Sequence, residues 1–159
     1  MVLSPGNALV GLDTDERNRR DSGIRPLYAF IRESVENGVP LLGINAGNEA
    51  LNCAYKIPID KVPEGYKGKH GIDLTGVNDS IADGIDRITV ELNNEFAVLS
   101  RESTPPGKVT HLVDHMGHPL ISRVESKAPV YGMQFNIQPG TEKVFENFFK
   151  LASQYLKTG

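Results

Sequence analysis

Apolar positions recur along this chain in two rhythms, one helical and one alternating. Over 24–37, Leu27, Phe30, Ile31 and Val35 return at helical spacing. Pro26 suits the first turn and Gly38 the stop, which predicts an amphipathic helix there. Residues 39–44 are apolar almost without interruption and predict a buried strand. A sharp turn follows at Asn45-Ala46, with Gly47 allowing close backbone approach. A helix starting near Asn48 then carries Ala50, Leu51 and Ala54 inward. Past Tyr55 the helical rhythm stops, and Ile57-Pro58 and Val62-Pro63 mark an irregular segment. Strands are expected at 67–74, 87–92, 96–99, 109–114, 120–124 and 129–135. Gly140-Thr141 should cap a last helix over 142–156, whose apolar face is Val144, Phe145, Phe148, Phe149, Ala152 and Leu156. Val2-Leu3-Ser4 reads as a short strand, Ser4-Pro5-Gly6-Asn7 as a turn, and the charge-dense 13–21 as an exposed loop. Helices and strands alternate early and strands cluster late. The fold class is therefore α/β, a mostly parallel sheet with an antiparallel extension.

At 159 residues without an internal repeat, one domain is expected. The net charge of −3, with both signs interspersed, offers no phosphate-binding stripe, so nucleic acid is not an expected partner. No apolar run approaches membrane-spanning length, and Met1-Val2-Leu3 leads straight into Ser4-Pro5-Gly6 with no leader pattern. A soluble cytoplasmic protein is expected, with no membrane partner. The one cysteine, Cys53, rules out an internal disulfide and is expected to point into the core. His111, His115 and His118 fall in a strand–turn–strand region rather than on one helix face, and no carboxylate or cysteine completes a ligand spacing. No metal and no cofactor are expected. His70 is expected in a loop.

Strand, tight turn and helix around Asn45 make the geometry of a nucleophile elbow, yet asparagine is no nucleophile. Several segments resemble one family in order and spacing. Ser4-Pro5-Gly6 is similar to the oxyanion loop S-P-G-P-G of class I, triad-type glutamine amidotransferases. Gly43-Ile44-Asn45-Ala46-Gly47-Asn48-Glu49 resembles their G-I-C-x-G-x-Q elbow. The segment 84–98 resembles the strand pair around their Y-H-S or N-H segment. Tyr131-Gly132-Met133-Gln134-Phe135-Asn136-Ile137-Gln138 resembles Y-G-V-Q-F-H-P-E, and 141–149 resembles the helix that follows. The resemblance spans nearly the whole chain. It lies nearest the small subunits of anthranilate, aminodeoxychorismate and carbamoyl-phosphate synthases and the GMP synthetase glutaminase.

In that family a Cys thiolate attacks the amide of glutamine, a His oriented by a Glu takes the proton, backbone N–H groups hold the oxyanion, and ammonia passes to a synthase. The resemblance places Asn45 at the nucleophile, Asn136 at the base and Gln138 at the orienting acid. A carboxamide neither forms an acyl-enzyme nor titrates near neutral pH. Ser4, Gly6, Asn7, Ala46, Gly47, Glu49 and Asn94 fall on the oxyanion and substrate pocket. There Asn7-Ala8 stands for Pro-Gly, Glu49 for Gln, and Asn94 for a frequent His. The resemblance thus implies a catalytically inactive relative that binds, scaffolds or regulates. The alternatives are an active glutaminase subunit feeding ammonia to a synthase, and a small-ligand-binding module using the old pocket. The resemblance also implies a truncated, flavodoxin-like version lacking the usual N-terminal strand–helix units over its single domain, 1–159. On that basis the Gly43 strand is expected at or near an open sheet edge with an apolar face uncovered, and a homodimer or a complex with a synthase-type subunit is expected to cover it.

Overall fold

The computed structural model describes residues 1–3 and 24–159. The first helical rhythm forms α1 (Ile24–Glu36), which buries Ile24, Ile31, Ser34 and Val35. The apolar run becomes β2 (Leu41–Ile44), buried at every position. Helix α2 (Ala46–Cys53) begins directly after the turn, two residues earlier than its apolar pattern indicates. Its first residues, Ala46 and Gly47, give no hydrophobic periodicity, and the backbone turn itself sets the start. The alternating segments form β4 (Gly68–Asp73), β5 (Arg87–Leu92), β6 (Phe96–Val98), β7 (Val109–His115), β8 (His118–Val124) and β9 (Val130–Met133), and the last helix is α3 (Glu142–Thr158). Ahead of these stand β1 (Val2–Leu3) and, between the two proline pairs, β3 (Ile59–Lys61). The segment expected to be irregular therefore contains a strand, because β3 takes its partner from β6 rather than from a pattern of its own.

The main sheet has five strands in the order β1-β2-β9-β8-β7. β1, β2 and β9 run parallel. β8 and β7 extend them antiparallel. Two antiparallel ribbons, β3–β6 and β4–β5, complete the strands. Successive residues of a strand point to opposite faces, and the core divides accordingly. Leu41 and Val130 pack with Ile31 and Val35 of α1 and Ala50 and Leu51 of α2. Leu42, Ile44, Tyr131 and Met133 face Val144, Phe145 and Phe148 of α3. Asp79 ties this second face together. It accepts from Tyr131 Oη at 2.8 Å and Arg123 Nη1 at 2.7 Å, and it caps the short 3-10 turn Ser80–Ala82 through Ile81 N at 3.0 Å. Asn147 of α3 then grips the same turn through the carbonyls of Ile81 and Asp83.

β2 does lie near the edge of the sheet, one strand in, but the expectation of an uncovered apolar face is corrected. β2 lies between β1 and β9, with Val2 paired to Leu42 and Leu3 to Gly43. Leu41 and Leu42 are fully buried, and α3 covers the face that α1 leaves. β1 pairs with two of the four residues of β2. Cys53 is also corrected: it is half-buried at the end of α2 rather than in the core. His70 lies within β4, not in a loop. Among the described residues no helix is long and apolar enough to cross a membrane.

Among the described glycines, the tightest approach is at Gly47, between α2 and β1. A Cβ on Gly47 would overlap the carbonyl of Leu3. Gly47→Ala is therefore expected to cost about 1–3 kcal/mol, the usual range for overpacking. Urea unfolding of the two proteins should show this as a lower midpoint at unchanged slope.

Candidate functional site

The site sits where β2 ends. Asn45 takes φ 51 and ψ −113, a positive-φ conformation that non-glycine residues seldom adopt and that stores about 1–3 kcal/mol of strain. The neighbouring contacts impose it. Asn45 N donates to Met133 O of β9 at 2.8 Å, and Asn45 O accepts from Glu49 N at 3.0 Å as the first turn of α2 closes. A Cβ on Gly43 would collide with the Gly47 backbone, so strand and helix can only meet this closely through glycine. The chain has one residue in which to reverse direction, and that residue is lifted out at the tip, where its side chain is half exposed.

β9 runs parallel to β2 and ends beside it, with Ile44 paired to Met133. Three residues later Asn136 reaches the elbow, and Asn45 Nδ2 donates to Asn136 Oδ1 at 2.5 Å across 91 positions of sequence. The two residues predicted at nucleophile and base are thus brought together at the carboxyl ends of adjacent strands. Gln138 does not join them. Its backbone is held by Thr141, whose hydroxyl accepts from Gln138 N at 3.0 Å and lies 3.1 Å from Asn136 O. Its side-chain Nε2 is buried without a hydrogen-bond partner among the described residues. Ala46 and Gly47 form the buried first turn of α2. Asn94 is half-buried in the turn between β5 and β6, and no hydrogen bond links it to the pair among the described residues. Ser4, Gly6 and Asn7 lie outside the described residues.

Under the pair runs a buried chain of polar groups that the sequence pattern does not mark as a unit. His111 Nε2 lies 3.3 Å from Asn52 Oδ1. Asn52 Nδ2 donates to Asn48 Oδ1 at 2.9 Å, Asn48 Nδ2 to Gln134 Oε1 at 2.7 Å, and Gln134 Nε2 to Glu49 Oε1 at 3.2 Å. Asn48, Asn52 and Gln134 are completely buried, and Glu49 is 3% exposed. A carboxylate only accepts hydrogen bonds. Glu49 therefore turns the Gln134 amide toward itself, and each carboxamide upstream must donate in the same sense. Burial holds the His111 imidazole below its ordinary value, with Asp114 opposing, and the neutral ring supplies the N–H that starts the chain. Gly132 makes room for it, since a Cβ there would occupy the place of Asn48 Oδ1. One signal stands in the sequence: of the carboxamides at 48, 52 and 134, Asn52 lies between Leu51 and Cys53 and Gln134 between Met133 and Phe135.

The chain bridges the segments that carry the exposed pair. Asn48 follows Asn45 by three residues and Gln134 precedes Asn136 by two, so α2 and β9 are fastened together directly below the tip. The histidines predicted not to bind metal are scattered in role. His111 serves this chain, whereas His70, His115 and His118 gather with Tyr66 on another part of the fold. Asn48→Leu removes a donor from Gln134 and an acceptor from Asn52. Leaving such buried groups unsatisfied costs about 1–3 kcal/mol, and chemical denaturation should show that loss, whereas Asn94→Leu, outside the buried chain, should change the midpoint little.

The family described as glutamine amidotransferase class-I matches residues 3–151. No curated protein matches the chain. Among solved structures, a protein assigned to GMP synthase as one of its subunits, from Thermoplasma acidophilum, is 19% identical, with a TM-score of 0.67 over 85% of this chain and 66% of its own. A glutamine amidotransferase from Thermotoga maritima is 16% identical, with a TM-score of 0.58 over 90% of this chain and 59% of its own. A glutamine amidotransferase from Methylobacillus flagellatus is 17% identical, with a TM-score of 0.60 over 79% and 49%. The chain thus spans from about half to about two thirds of the length of these structures, and the likeness to each is one of fold. With the family matched from β1 to α3, and with the elbow, the parallel β2–β9 pair and the antiparallel extension all in place, the chain belongs to the class-I glutamine amidotransferases.

Proposed function

We propose that this domain is a catalytically inactive glutamine amidotransferase that binds rather than hydrolyses, and that it plays a regulatory or scaffolding role. The observation that carries this reading is the Asn45–Asn136 hydrogen bond at the elbow. Amide hydrolysis by the family's route needs a group that can form a bond to carbon and a neighbour that can take its proton. Two carboxamides facing each other do neither, and Gln138 in place of an orienting carboxylate has no imidazole to orient. The same pair is suited to recognition. Each amide both donates and accepts, the pair is exposed, and the strained elbow fixes its direction. A polar ligand with an amide or carboxylate edge would exchange one hydrogen bond for two.

A synthase-type partner is the preferred assembly. The Thermoplasma relative is itself assigned to a synthase as one of its subunits. Either partner was first expected as cover for the β2 edge, which β1 pairs at Val2 and Leu3; the synthase-type reading now rests on that relative. The domain is read as cytoplasmic with its family, and no cofactor enters the reading.

Glutamate release from glutamine by the purified chain is the direct test. None above the uncatalysed rate is expected, since loss of a single triad member already costs several powers of ten. Asn45→Cys alone should remain inactive, because base and orienter are still absent. Turnover by the wild-type chain, or its recovery by that one substitution, would overturn the reading.

A further inference from the structure

Three histidines from three strands gather around Tyr66. His70 of β4 and His115 at the end of β7 stand with ring centroids 4.4 Å apart. His118, at the start of β8, is paired with His115 across the tight turn at Met116-Gly117. Tyr66 lies between them, 5.5 Å from the His115 ring and 5.4 Å from that of His118. Two of the imidazoles are tethered. His70 Nε2 lies 2.9 Å from Tyr66 O, and His118 Nδ1 lies 2.9 Å from Val98 O. A carbonyl only accepts, so each of these nitrogens carries a proton. The third ring is different: His115 Nε2 is buried with no hydrogen-bond partner among the described residues.

β4 and β5 form a ribbon separate from the main sheet. The histidine cluster is where this ribbon meets the β7–β8 turn. At its other strand the ribbon meets the loop that carries Asn136. Thr89 N approaches Gly140 O at 3.4 Å, and a Cβ on Gly140 would press on Thr89. We propose that the His70–His115–His118 cluster is a pH-operated clasp, closed when the His115 ring is neutral, in which protonation of His115 loosens the β4–β5 ribbon from the β7–β8 turn and slackens the support of the Asn136 loop. This inference stands on the cluster alone and does not require the Asn45–Asn136 pair to bind a ligand.

Among the described residues, the titratable groups around His115 come from the elements next to it. His70 stands on β4, His118 on β8, Tyr66 ahead of β4, and Asp114 on its own strand. Burial holds the His115 imidazole below its ordinary value, the charge of His70 adds to this, Asp114 opposes it, and His118 adds last. The Tyr66 hydroxyl is pushed up, first by burial and then by the negative charges of Glu49 and Asp114, so it stays neutral and offers no countercharge. A histidine whose folded value is depressed binds its proton more readily in the loosened state. The contact is therefore fully present above the ordinary imidazole value of about 6.5 and is lost as pH falls through the lower value of the closed cluster.

Amide hydrogen exchange on the full chain tests this, compared at about pH 7.5 and about pH 5.5, either side of that value, and corrected for intrinsic exchange. In the wild type, segments 68–73 and 87–92 should lose protection severalfold at the lower pH, while β2 and β9 do not. His115→Phe keeps a ring in the stack without a titrating group and should abolish the loss. Equal losses in both proteins, or none in the wild type, would refute the clasp. An NMR titration of the His115 ring in the wild-type chain decides independently of how the variant folds. A midpoint below about 6.5 supports the proposal, and one at or above it overturns it.

Discussion

The carbonyl of Leu3 occupies the space that a methyl group on Gly47 would need. That single approach governs the architecture around it. It brings the start of α2 against β1, and Gly43 then has to pass the Gly47 backbone with no side chain of its own. The reversal from β2 into α2 is left with one residue, and Asn45 takes up the whole of it in an unfavourable conformation. Asn136 arrives from the other side because β9 pairs in parallel register with β2 and stops at the same level. The exposed pair is thus a product of backbone packing. Its position owes nothing to the chemistry of the two side chains.

What lies beneath explains why two polar segments hold still in an apolar interior. A buried carboxamide without partners is costly. Here Asn52, Asn48 and Gln134 satisfy one another in sequence and end on Glu49. The direction of the chain is set at that end, since a carboxylate offers no proton. At this position the family's G-I-C-x-G-x-Q pattern carries glutamine, whose amide would admit either orientation. Glu49 therefore departs from the pattern and at the same time fixes the sense of the network. Its carboxylate also acts on Tyr66, so the elbow helix and the histidine cluster share one electrostatic neighbour.

Most long elements were legible because their periodicity follows directly from burial. α1, α3 and β5 alternate or repeat against a single core face, and β5 falls on the residues its pattern marks. What failed was set by partners distant in sequence. β3 has only three residues, two of them exposed, and exists through β6. The short strand at Val2-Leu3 was legible, but its partner was not: Val2 pairs with Leu42 and Leu3 with Gly43, and nothing local joins segments so far apart, so β2 was expected to lie uncovered. The meeting of Asn45 with Asn136 was readable only through motif order, since nothing local joins them. Gln138 shows the limit of that route. The motif places it with the pair, but the Thr141 loop keeps its backbone for itself.

An elbow that retains its strain without a nucleophile invites the inference that it still catalyses something. The packing accounts for the strain without any such role. Relaxing Asn45 would require α2 to rotate away from Leu3, losing the β1 contact, the buried fit of Ala50 and Leu51 under Ile31, and the Asn48–Gln134 bond. Each of those losses is of the same order as the strain, about 1–3 kcal/mol. Together they exceed it. The strained turn is therefore held by the packing around it, whatever stands at its tip. Strain at position 45 records the family's architecture, and the side chain there records whether the chemistry was kept.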